Sequence, residues 1–192
     1  MDTVVISTLQ KLMKHNTIVS IYPDINNSEC FSVGFIEAMS NDHIIIKSIS
    51  KNGQYDGYII RKIENIFRVD FDGDYEKRLK ILYEIQKQEH HKLIQKKARK
   101  DTNLFREALK SSMSNKYVVS IELIFTDEEE GEGLFGWVKN ISETEVLISK
   151  LSYYGHDDGC SIIRFDNIAA INCDTDDEIA LRLLNTQKFL EK

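Results

Sequence analysis

The sequence predicts an α+β, mainly β protein: two five-stranded barrels in tandem, each flanked by helices and joined by a long helix. Three observations carry this expectation. The chain repeats itself at a nearly fixed offset, each copy holds five short β-rich runs separated by turn residues, and each copy places a glycine inside its second run.

With Gly34 set against Gly136, an offset of 102 holds without a gap to Leu82, and 15 of 49 positions are identical. They include Ser40/Ser142, Ile46/Ile148, Gly53/Gly155, Asp56-Gly57/Asp158-Gly159, Asn65-Ile66/Asn167-Ile168 and Leu79/Leu181. Upstream the offset becomes 100 and pairs Leu9 with Leu109, Met13 with Met113 and Val19-Ser20-Ile21 with Val119-Ser120-Ile121. The two-residue difference falls between the first and second runs, where an insertion costs little loop-closure entropy. A single register kept through glycines and apolar positions alike marks a duplication.

Each copy opens on a helix. Val5, Ile6, Leu9, Leu12 and Met13 lie on one face over 4–15, and Leu104, Phe105, Ala108, Leu109 and Met113 repeat that spacing. Strands are expected at 17–22, 31–39, 43–49, 58–63 and 66–71, then at 117–125, 134–141, 145–151, 160–165 and 168–173. Ser40-Asn41-Asp42 and Glu64-Asn65 supply turns. A glycine within a strand marks a bend, and a bent second strand is how five strands close on themselves. Asp72-Gly73-Asp74 and Asp174-Thr175-Asp176-Asp177 start the closing helices, their carboxylates set against the helix dipole. The first closing helix, with Tyr75, Leu79 and Leu82, is expected to run on to Lys100 as a solvent-exposed connector. The domains are thus 1–86, a basic helical connector 87–100, and 101–192.

Hydrophobic residues make up 42% of the 192, enough for a packed core. No apolar run approaches the length of a membrane span, and the N-terminus lacks a basic stretch ahead of its apolar one, so a cytoplasmic protein is expected. Cys30, Cys160 and Cys173 show no CxxC spacing and are expected as buried, reduced thiols. Net charge is −6 but uneven: residues 1–86 carry −2, residues 87–116 carry +6 and residues 117–192 carry −10. A polyanion should be drawn to the middle and repelled by the second copy.

The stretch Gly34-Phe-Ile-Glu-Ala-Met-Ser-Asn-Asp-His-Ile-Ile-Ile-Lys47 resembles the first motif of the Sm-like (LSm/Hfq-like) family of small SH3-type barrels. Gly136-Trp-Val-Lys-Asn-Ile-Ser-Glu-Thr-Glu-Val-Leu-Ile-Ser149 keeps the same shape. Ile162-Ile-Arg164-Phe-Asp-Asn-Ile168 is similar to the second motif, with Ile60-Arg61-Lys62-Ile-Glu-Asn-Ile66 its counterpart. The resemblance implies a helix ahead of five strands, edges at the fourth and fifth strands open to pairing with a neighbour, and RNA among the partners. The family's base-contacting Asp and Asn are not retained. Ser40 and Ile44 stand at those positions in copy one, and Ser142 and Val146 in copy two. An aliphatic side chain cannot replace an amide's donor and acceptor, and Phe165 replaces the glycine after Arg164.

Two sets of residues are candidates for binding. Arg61, Lys62, Lys92, Lys96, Lys97, Arg99 and Arg164 could neutralise phosphates or carboxylates, the connector lysines being equally able to meet this protein's own acidic tract, Asp127-Glu128-Glu129-Glu130, in a neighbouring subunit. The paired Gly-x-x-Asp-Gly loops, with Tyr55, Asp56 and Gly57 in copy one and Tyr153, Tyr154, His156, Asp158 and Gly159 in copy two, read as hairpins with tight Asp-Gly turns. They could also present aromatic anchors to a protein. His156, Asp157 and Asp158 lack the convergent ligands a metal needs, and no cofactor motif or phosphate loop is present. The expectation is a non-catalytic module for protein partners or self-association, with RNA binding as the alternative.

Overall fold

The computed structural model describes residues 4–27, 29–124 and 133–187. Two compact units divide the chain, Met1–Leu104 and Phe105–Lys192. The first runs α1 (Val4–Lys14), β1 (Ile18–Tyr22), β2 (Ser32–Met39), β3 (His43–Ile49), β4 (Tyr55–Lys62), a 3-10 turn, β5 (Arg68–Phe71) and α2 (Asp74–Ile85). The second repeats that order as α3 (Leu104–Asn115), β6 (Val118–Leu123), β7 (Leu134–Ile141), β8 (Glu145–Leu151), β9 (Asp157–Arg164), a 3-10 turn, β10 (Ile168–Cys173) and α4 (Asp176–Gln187). The duplication extends to the backbone. Asn16 and Lys116, just past the first helix of each copy, both take positive φ, as do Asp72 and Asp174 ahead of the last.

Two closed barrels were expected, and the strands correct that expectation. They lie in open antiparallel order, β5-β1-β2-β3-β4 in the first unit and β10-β6-β7-β8-β9 in the second. Among the described residues no pairing joins the fourth strand of a copy to its own fifth. The physical reason is visible in β1. Val19 and Ile21 pack with Leu9 and Leu12 of α1, while Ile18 packs with Leu79 of α2. Successive strand residues point to opposite faces, so helices bury apolar residues on both faces of an open sheet. Runs such as Ile44-Ile45-Ile46, each wholly buried, therefore reflect burial on both faces rather than the lining of one closed interior.

The glycine in each second strand answers to close backbone approach. A Cβ on Gly34 would sit 1.9 Å from the Lys47 carbonyl oxygen, and one on Gly136 would sit 2.3 Å from that of Ser149. Three residues farther on, both strands carry a bulge, at Glu37 and at Lys139. The closing helices share a buried cap as well. Glu76 accepts from the Gly73 N–H and from the Ser20 hydroxyl, and Glu178 accepts from the Thr175 N–H.

The expected connecting helix is also corrected. α2 stops at Ile85, and residues 86–103 hold no regular element. Lys87 takes φ 52°, which ends the helix. This segment is not a solvated rod but a strap on the first unit, with Leu93 only 2% exposed.

Candidate binding surfaces

The strap is held at three points. Both oxygens of Glu37 accept main-chain hydrogen bonds, Oε2 from the Leu93 N–H at 3.1 Å and Oε1 from the Ile94 N–H at 3.0 Å. The bulge at Glu37 is the local distortion that accompanies this contact, since a bulge re-aims the side chains around it. Burial outweighs those two donors and nearby Lys47 and Lys92, and leaves the carboxyl above its ordinary pKa. The Tyr58 hydroxyl donates to the His91 carbonyl at 2.6 Å. His90 fills an aromatic seat made by Tyr55, Tyr58 and Tyr83, the last stacked nearly parallel at 17°. Its Nε2 lies 2.8 Å from the Ser48 carbonyl, which can only accept, so Nε2 carries the proton and Nδ1 accepts from the Tyr83 hydroxyl at 2.9 Å. Burial lowers the imidazole pKa to about 4.

Between this strap, the end of α1 and β2 lies a cleft of about 410 Å³. Met13, Ala38, Met39 and Ile94 give it apolar walls, and Lys92, Lys96 and Lys97 line it as well. Three of the seven expected basic contacts therefore converge. The other four do not. Arg61 is buried and its Nε donates to Ser32 Oγ. Lys62 lies 4.0 Å from Glu64, Arg99 is 3.7 Å from Asp101, and Arg164 is 3.5 Å from Glu145.

The two Gly-x-x-Asp-Gly segments part company. In both copies the turn sits earlier than expected: the Gly53 and Gly155 N–H groups donate to the Ser50 and Ser152 carbonyls. The Asp-Gly pairs are bulges inside β4 and β9, where Gly57 and Gly159 take φ of 63° and 74°. Tyr55 is no exposed anchor, being packed on Tyr58 and His90 with its N–H donating to Gln88. Asp56 is half-buried and Gly57 buried. Copy two is open instead. Tyr153 and Tyr154 are 78% and 73% exposed, and His156, Asp158 and Gly159 are exposed beside them.

Tyr153 borders a second cleft, of about 670 Å³, lined also by Leu134, Phe135, Lys150, Leu151 and Asp158. Lys150 and Asp158 pair at 3.0 Å. Strand β9 stands at the end of the strand order, and Ile162 on it is 71% exposed. Cys173 is buried as expected, but Cys30 and Cys160 are exposed and correct that expectation. Among the described residues no His/Cys/Asp/Glu group could hold a metal ion, and no helix is long and apolar enough to cross a membrane. The acidic tract at 127–130 lies outside the described residues.

Sequence reasoning missed Glu37, Met13 and Met39 as neighbours in one cleft, and the aromatic seat of His90. One signal was available, a carboxylate inside the otherwise apolar strand Ser32–Met39. No protein-family model, curated protein or solved structure matches this chain.

Proposed function

We propose that this protein is a non-catalytic binding and assembly module of the cytoplasm that holds protein partners. The observation carrying this reading is the open surface of copy two. An eight-residue end strand, β9, is exposed over most of its length beside the neighbouring pair Tyr153 and Tyr154. An uncovered strand edge offers main-chain groups to an added strand, and exposed tyrosines supply anchoring area at small entropic cost. Ile162→Lys together with Tyr153→Ala and Tyr154→Ala alters only exposed side chains. Affinity capture followed by mass spectrometry should retrieve a partner with the parent chain and lose it with this variant. A parent chain that is strictly monomeric and retrieves nothing specific removes the proposal.

A second reading, an RNA-binding regulator, draws on the convergence of Lys92, Lys96 and Lys97 on one cleft, with Arg99 adjoining in sequence. Filter binding at low and moderate salt tests it, because phosphate neutralisation gives a steep salt slope. Absence of binding at low salt removes this reading.

A further inference from the structure

The cleft of the first unit combines two features that together specify an occupant. Its walls are apolar and rich in thioether, from Met13 and Met39, with Ala38 and Ile94. Methionine walls suit an aromatic ring, which gains favourable sulfur contacts. Lys92, Lys96 and Lys97 are exposed in the same cleft. The carboxylate lining the same cleft, Glu37, is half-buried and occupied with the Leu93 and Ile94 amides. Lys96 and Lys97 make no ion pair with any described residue, so two cationic groups there await anions. The matching ligand is a short segment that sets several carboxylates beside one bulky apolar group.

A nucleic acid meets only half of that description. Among the described residues no aromatic side chain lines the cleft, so a base would find no ring there to stack on. The chain as a whole also carries −6. One segment of this protein meets the whole description. Residues 125–132 read Phe-Thr-Asp-Glu-Glu-Glu-Gly-Glu, a single aromatic followed by five carboxylates.

We propose that the cleft of one molecule receives the acidic segment 125–132 of a second copy of this chain, Phe125 entering between the methionines and the carboxylates meeting Lys92, Lys96 and Lys97. This rests on the assembly reading above and names the partner for one of its surfaces. Because each molecule owns both a cleft and a segment, two molecules can satisfy both contacts at once or extend into longer assemblies.

The test is a charge exchange read by sedimentation velocity of the full-length chain at low and moderate salt. One variant carries Lys92→Glu, Lys96→Glu and Lys97→Glu; the other carries Asp127→Lys, Glu128→Lys, Glu129→Lys and Glu130→Lys. Each alone should self-associate at least about tenfold more weakly than the parent, since like charges now face each other. Mixing the two should restore association, because each reversed cleft then meets a reversed segment. Added salt should weaken parent and mixture alike. A synthetic peptide of residues 125–132 should compete with the parent's self-association. Circular dichroism confirms that the variants remain folded, as expected for exposed lysines.

A parent chain that is monomeric at every concentration overturns the proposal, and so does a mixture that fails to associate. If the cleft variant self-associates like the parent while Ile162→Lys does not, the cleft proposal falls and assembly through β9 stands. If an oligonucleotide binds this cleft and the peptide does not, the second reading replaces it.

Discussion

At the scale of single residues, two half-buried titratable side chains, Glu37 and His90, hold the strap. Glu37→Ala removes the acceptor of two main-chain N–H groups and leaves them unsatisfied, which should cost about 1–3 kcal/mol in a urea melt. Amide exchange at Leu93 and Ile94 should accelerate in the same variant, and Glu37→Gln, which keeps one acceptor oxygen, should do less. His43 and His90 act through protons. Burial holds both imidazoles at about 4, with Asp42 and Lys62 near the first and Lys47 and His91 near the second. In the unfolded chain they titrate near 6.5, so between about 6.5 and 4 the unfolded state binds more protons. Stability should therefore be full above pH 6.5 and decline as pH falls toward 4. Neither ring is wholly buried, which limits the loss to about 1–2 kcal/mol per histidine. Urea midpoints measured across that range, for the parent and for His90→Gln, check the sign: the variant's curve should be flatter. Little of this was legible beforehand. Glu37 interrupts an apolar strand and could have been noticed, but the Tyr55, Tyr58, Tyr83 and His90 cluster joins side chains up to 35 positions apart, which no local pattern records.

At the scale of elements, the strands and helices were readable and the strap was not. α1 and α3 follow from apolar spacing, and the second and third strands from β-branched runs, because in these cases side chains do the packing. Residues 86–103 are fixed largely through main-chain amides, one histidine ring and one leucine, which leaves no periodicity to read. From the sequence, the glycines of β2 and β7 point to bends that close a barrel, whereas they permit a close backbone approach, whose cost can be measured. Gly34→Ala and Gly136→Ala place a methyl group against a neighbouring strand's carbonyl, where backbone rather than a flexible side chain must yield. Each should lose about 1–3 kcal/mol by chemical denaturation, as overpacked sites do. A loss shared by both copies would show that the duplicated glycine serves the same purpose twice.

At the scale of the molecule, the duplication was plain from the sequence and the closure of the sheets was misjudged. Five short strands with a glycine bend fit a barrel and an open sheet equally in their turn and apolar patterns. What separates them is whether helices cover both faces, and α1 and α2 do so through Leu9 and Leu79. The copies have also diverged in what they leave open. β4 carries Tyr58, 2% exposed beneath the strap, where β9 carries exposed Cys160, and buried Ile60 corresponds to Ile162 at 71%. Hydrogen exchange should accordingly be faster along β9 than along β4, since opening costs less where fewer apolar contacts are lost. Equal protection of the two strands would argue that burial does not set their local stability.

The carboxylate of Glu37 grips amide hydrogens, and every amino acid except proline owns one. That handhold is indifferent to what the gripped residues spell, so Ile94 could be exchanged for many others, whereas Ile94→Pro would let the cover slip. The solvent-facing stretch beyond it, Gln95 to Lys97, is consequently a place where foreign lettering such as an epitope tag could be written while the anchoring chemistry stays intact.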